Sequence, residues 1–76
     1  MQKRLSELKP GQKAVIEEFG DTSLLLKLME MGCVPGEKIK VEQVAPLGDP
    51  ISVEVSGYHL SLRLNEAEQI IVNTNI

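Results

Sequence analysis

Two side chains in this 76-residue chain could supply a base, a nucleophile or a soft metal ligand near neutral pH: its single histidine, His59, and its single cysteine, Cys33. Neither has the company that its chemistry needs. His59 lies in an alternating run, YHLSLRL, whose phase turns it outward beside Glu54. A general base there would need a nucleophile or an oriented water held in a pocket, and no neighbouring residue provides one. Cys33 lies between Gly32 and a Pro-Gly turn and reads as a small, half-buried apolar residue. Metal binding needs convergent ligands, and the chain has no CxxC, HxxxH or EF-hand loop. Its carboxylates alternate with apolar residues on strands, the pattern of a solvated face. The glycines are scattered turn residues without a GxxxxGK[ST] phosphate loop, so no nucleotide or other cofactor is expected. The residue types therefore predict no catalytic group and no dedicated metal site.

Charge narrows the partners. Eight Lys and Arg face eleven Asp and Glu, a net charge of −3. Residues 1–40 are nearly balanced, and residues 41–76 carry Arg63 alone against five acids. Nucleic-acid binding needs clustered positive charge or aromatic stacking platforms. The chain has neither, with one Phe, one Tyr and no Trp. A single cysteine forms no internal disulfide, which fits a reducing compartment. The start, MQKRLSELKPG, has no apolar leader-like run. LLLKLMEMG is interrupted by Lys27 and Glu30 and is too short to span a bilayer. The expectation is a cytoplasmic protein with no direct membrane insertion.

The elements that position these residues can be read in order. The length fits one domain over 1–76 with an aliphatic core and a loose tail at 73–76. LSEL (Leu5–Leu8) reads as one helical turn, and Gln12–Phe19 as a strand. Asp21 or Thr22 is placed to cap a helix over 23–31, with Gly32 ending it in a left-handed conformation. EKIKVEQVA is a second strand whose phase breaks at Val44, the mark of a bulge or of a strand end near Gln43. PGQKAVIEE and PGEKIKVEQ share one device: a type II turn, with Pro then Gly at its centre, feeding a strand.

The strongest signal is ISVEV–SG–YHLSLRL, two alternating runs around a two-residue loop. Pairing them sets Val55 opposite Tyr58, Val53 opposite Leu60 and Ile51 opposite Leu62 on the core side. Glu54 then faces His59, and Ser52 faces Ser61, on the outside. Asn65 is placed to cap a short turn, and Ile70–Val72 forms the last strand. About five short strands and one short helix after the first strand predict a mainly β, small, partly open barrel, because closure protects strand edges.

Two stretches carry more apolar surface than this core requires. On the helix, Ser23, Lys27 and Glu30 make a narrow polar stripe. Leu24, Leu25, Leu26, Leu28, Met29 and Met31 fill the rest, whereas packing on a core needs an apolar arc of only about 100°. The helix is therefore either enclosed on two sides or exposed in part, at Leu24 or Leu26. The loop VAPLGDPIS holds Pro46, Leu47, Gly48, Asp49 and Pro50. Its prolines stiffen both ends, and Gly48 and Asp49 suit a tight turn. Asp49 is placed near Arg63. Leu47 either folds back to plug the barrel's open end or stands out as a preorganised contact. Leu24, Leu26, Met29, Pro46, Leu47, Gly48 and Asp49 are the candidate partner-binding residues. A proline-peptide groove needs aromatics that the chain lacks.

These motifs resemble the FeoA family, a group of small proteins of bacterial ferrous iron transport. The resemblance rests on Leu28 with Gly32, on Pro35-Gly36, on Pro46-Leu47-Gly48-Asp49-Pro50, on Leu60-x-Leu62-Arg63 and on Ala67. Leu5-x-x-Leu8 with Pro10-Gly11 extends it over nearly the whole chain. It implies an SH3-like barrel that binds no proline peptide. It also implies a non-enzymatic, regulatory contact with the cytoplasmic, GTPase-containing region of the membrane transporter FeoB. Similar domains end the iron- and manganese-dependent repressors. The Leu- and Met-rich helix and loop depart from the pattern, as does Cys33, where an aliphatic residue is expected. Those departures keep self-association and redox sensing open. Two alternatives to the adaptor reading remain: a ferrous-iron-binding or delivery protein, and a weakly homo-oligomerising regulatory domain.

Overall fold

The alternating runs form the hairpin that their phase demands. In the computed structural model, which describes residues 1–20 and 22–75, β4 (Ile51–Val55) pairs antiparallel with β5 (Tyr58–Leu62). The register is the expected one, from Val55 opposite Tyr58 to Ile51 opposite Leu62. Ser56 and Gly57 take φ of 52° and 81°. Two positive values in succession make the type I′ turn, whose twist matches that of the strands it joins.

β2 (Lys13–Phe19) and β3 (Lys38–Val44) are near copies of each other. Each follows a Pro-Gly turn with glycine at positive φ, +93° at Gly11 and +95° at Gly36. The Gly11 N–H donates to the Val41 carbonyl at 2.7 Å, and the Gly36 N–H donates to the Ile16 carbonyl at 2.7 Å. The register also shifts at matching places, between Ile16 and Glu18 on β2 and between Val41 and Gln43 on β3. The shared turn-into-strand device is thus also a reciprocal clamp between the two strands.

β1 (Gln2–Arg4) and β6 (Ile70–Asn73) complete a six-stranded antiparallel sheet of order β1-β6-β2-β3-β4-β5. The N-terminal strand raises the expected five to six and places the helix after the second strand. β1 has no hydrophobic alternation and exists through its pairing with β6. Asn73, expected in a loose tail, ends β6, and the Thr74 N–H donates to the Met1 carbonyl at 3.0 Å.

Between β2 and β3, a 3₁₀ turn over Thr22–Leu24 leads into α1 (Leu25–Glu30). The expected cap falls on Asp21 and on the Thr22 side chain, which lie outside the described residues. The far end is closed by paired bonds: Gly32 N–H to the Met29 carbonyl at 3.1 Å and Cys33 N–H to the Leu28 carbonyl at 2.9 Å. This is the Schellman arrangement, with Gly32 as its left-handed residue. A second helix, α2 (Leu64–Ala67), stands where only a turn was expected. Its first-turn donor is satisfied by Glu66, which accepts from the Arg63 N–H at 2.8 Å, and not by Asn65. Glu was missed because it caps from inside the helix, three residues past the boundary.

The core is aliphatic, as the composition requires. Leu5, Ile16, Leu28, Ile39, Val41, Val53, Leu62, Ile70 and Val72 are buried around it. Phe19 packs only partly against it. Tyr58 has the core-side parity expected of it but is 68% exposed. It lies on β5, the edge strand, whereas its cross-strand partner Val55, one strand further in, is buried.

Candidate functional site

The proposed contact residues divide between α1 and the β3–β4 loop. On α1, Leu28 is wholly buried and anchors the helix. Leu24 is half-buried against the core, so the exposed arc begins at Leu26 instead. Leu26 is 71% exposed and Met29 41%. Three residues apart, they share one face of the helix. The helix is therefore not enclosed on two sides.

The loop is braced by its own backbone. The Ala45 N–H donates to the Pro50 carbonyl at 3.1 Å, and the Gly48 N–H donates to the Ala45 carbonyl at 2.7 Å. Gly48 takes φ of 88°, and the Asp49–Pro50 peptide bond is cis. Leu47 is 96% exposed, which removes the reading of it as a plug. Asp49 does not pair with Arg63; among the described residues its partner is the Leu64 N–H, 3.0 Å from Oδ1. That bond ties the loop to the first residue of α2.

α1 is fastened to the same short helix. Lys27 Nζ lies 2.6 Å from Oε2 of Glu66, whose side chain is buried. The Lys27 ammonium holds the Glu66 carboxyl below its ordinary value; desolvation pushes the other way, and the Arg63 N–H assists the lowering. α2 is thus the junction between the two apolar elements: Leu64 holds the loop and Glu66 holds α1. The sequence does carry a signal for this junction, a Glu three residues past the helix boundary, but composition cannot say that its carboxylate is buried.

The titratable groups elsewhere do not assemble a reaction centre. His59 Nδ1 is 2.8 Å from Glu42 Oε1, and Nε2 is 3.9 Å from Glu54 Oε2. The bond to Glu42 and its charge raise the His59 pKa above its ordinary value, with Glu54 adding to the effect. The expected neighbour, Glu54, is the weaker of the two; the bulge between Val41 and Gln43 brings in Glu42. The carboxylates occupy opposite nitrogens of one ring and so cannot converge on a common ion. Among the described residues no group of three or more His, Cys, Asp or Glu could hold a metal. Cys33 is fully buried instead of half-buried. Burial first, and then the Glu66 charge, push its thiol up to about 11. Among the described residues no helix is long and apolar enough to cross a membrane.

The FeoA domain model matches residues 3–74. An Fe(2+) transport protein A/Fe(2+) transporter FeoB fusion protein of Porphyromonas gingivalis is 43% identical over 70 residues, which are 91% of this chain and 8% of that protein. The chain therefore spans under a tenth of the length of that relative. The solution structure of a FeoA-like protein from Clostridium acetobutylicum superposes with a TM-score of 0.91 at 36% identity, covering 99% of this chain and 88% of that one. The zinc complex of FeoA from Stenotrophomonas maltophilia, a procaryotic SH3 domain protein, superposes with a TM-score of 0.79 at 32% identity, covering 96% and 89%. The mainly β architecture is accordingly of the SH3-like kind, and by the match over residues 3–74 the chain belongs to the FeoA domain family.

Proposed function

We propose that this chain is a non-enzymatic accessory protein of ferrous iron uptake that works in the cytoplasm by contact with the GTPase-containing region of FeoB. The observation that carries the reading is the fusion relative, in which a domain like this one and the transporter are one polypeptide. Tethering raises the local concentration of one module around the other to roughly millimolar, which is useful where the two must meet. The surface supports the same reading. Leu26 and Met29 on α1 and Leu47 on its braced loop present apolar side chains to solvent. Two rigid elements joined through α2 lose little conformational freedom on docking.

The test is binding of labelled protein to the isolated FeoB GTPase domain and to full-length FeoB in detergent, with and without guanine nucleotide. Binding weakened by Leu47→Ser or Leu26→Ser, in variants that melt like the parent, is the expected result. No binding in any of these conditions would refute the adaptor role.

A further inference from the structure

The sheet has two edges, and they are unequally defended. Edge strands leave a row of unpaired N–H and C=O groups, which proteins blunt with short length, charge, proline or bulges. β1 is three residues long and reads Gln-Lys-Arg. β5 is five residues long and reads Tyr-His-Leu-Ser-Leu, with no lysine, arginine, acid or proline, and no register shift against β4.

The hairpin geometry identifies which groups on β5 are free. Across a two-residue turn, the flanking residues Val55 and Tyr58 form a hydrogen-bonded pair, and the pairs alternate from there. Tyr58, Leu60 and Leu62 therefore direct their backbone groups at β4, and His59 and Ser61 direct theirs away. Among the described residues β5 pairs with β4 alone, and the backbone groups of His59 and Ser61 have no other partner.

We propose that β5 is a pairing edge for a second copy of this chain, antiparallel about a two-fold axis at Leu60. Self-complementarity fits this occupant. With the axis at Leu60, His59 exchanges both backbone bonds with Ser61 of the second copy, and Ser61 does the same with His59. The two free positions of one edge meet the two free positions of the other in register. Leu60, itself only half-buried, meets Leu60 as the close, non-bonded pair. No formal like charges on β5 are set opposite one another, whereas a β1 edge pairing with itself would set Lys3 opposite Lys3 or Arg4 of the second copy. The interface is small, so the association is weak and concentration-dependent. It uses β5, not α1 or the loop, and so stands apart from the FeoB contact.

The experiment is sedimentation velocity from micromolar to millimolar protein, with amide hydrogen exchange measured across the same range. The expected result is a dimer that grows with concentration, with slowed exchange at the His59 and Ser61 amides. Ser61→Pro should abolish both effects while keeping the fold, because that N–H faces away from β4 and an edge strand tolerates proline there. Ser61→Lys, a charge at the edge, is the second variant and should do the same. A monomer at millimolar concentration would overturn the proposal. So would a dimer unchanged by either folded variant, or β5 amides that become protected only when the FeoB cytoplasmic region is added.

Discussion

Lys27 on α1 and Glu66 on α2 are joined by a 2.6 Å ion pair, and the other carboxylate oxygen of Glu66 caps α2 through the Arg63 N–H at 2.8 Å. One buried carboxylate thereby holds two helices. Glu66→Ala removes both bonds and should cost about 1–2 kcal/mol, read from urea unfolding. Glu66→Gln keeps an oxygen for the Arg63 N–H and loses the ion pair. Because Lys27 is largely solvated, that change should cost less, about 1 kcal/mol or below. Equal costs for the two variants would show that the cap contributes nothing.

The same pair sets a sign for pH. The folded Glu66 carboxyl titrates below its ordinary value of 4.5. Its stabilisation is therefore complete above 4.5 and is lost as pH falls through the lower, folded value. The urea midpoint of the parent should drop on acidification more steeply than that of Glu66→Gln. Glu17 is also held low, by hydrogen bonds from Gln2 and Asn73, but it is present in both proteins and cancels in the comparison. Parallel profiles would refute the assignment.

Asp49 and Leu47 sit two residues apart and should behave oppositely. Asp49→Ala leaves the Leu64 N–H without its acceptor and should cost about 0.5–1.5 kcal/mol. Leu47→Ala removes a side chain that is 96% exposed and should change stability by no more than about 0.5 kcal/mol. Thermal melts of the two variants decide this. A large loss from Leu47→Ala would restore the plug that the structure excludes.

What the sequence made legible follows from how local each signal is. The β4–β5 register was readable because alternation and turn chemistry lie within a dozen residues. The break in phase near Gln43 was readable, but the choice between a bulge and a strand end needed the pairing with β4, which continues to Val44. β1 was not readable, because Gln2–Arg4 becomes a strand only through β6, some seventy residues away. Tyr58 shows a different limit: parity fixes the face of a residue but not how far that face is covered at the edge of the sheet, where Tyr58 is exposed and Val55 opposite it is buried. The candidate surface was legible as an excess of apolar residues on a short helix. Its choice among them, Leu26 over Leu24, depends on the angle at which α1 rests on the core. The junction at α2 escaped because Asn65 has the residue type of a cap, while Glu66 has the position.

Cys33 should be inert in the folded protein. It is fully buried, and its thiol is pushed up to about 11, so little thiolate is present at neutral pH. Alkylation by iodoacetamide at pH 8 should follow global unfolding, with a rate that rises across the urea transition. Fast labelling of the native protein would reinstate the redox-sensing reading that burial argues against.

His59 should titrate above its ordinary value of 6.5, because Glu42, and less strongly Glu54, stabilise the imidazolium. The sign is opposite to that of Glu66. A raised folded value gives stabilisation that is full below 6.5 and is lost as pH rises through the folded value. The ring is solvent-exposed, so the effect on unfolding is small, and the ring proton chemical shift is the better observable. Followed by NMR, the His59 inflection should lie above 6.5. Glu42→Gln should lower it more than Glu54→Gln does, because the contact with Nδ1 is 2.8 Å and that with Nε2 is 3.9 Å. The reverse order would mean that the hairpin partner, and not the bulge residue, controls the ring. The β3 bulge would then have no part in setting the charge at the edge of the sheet.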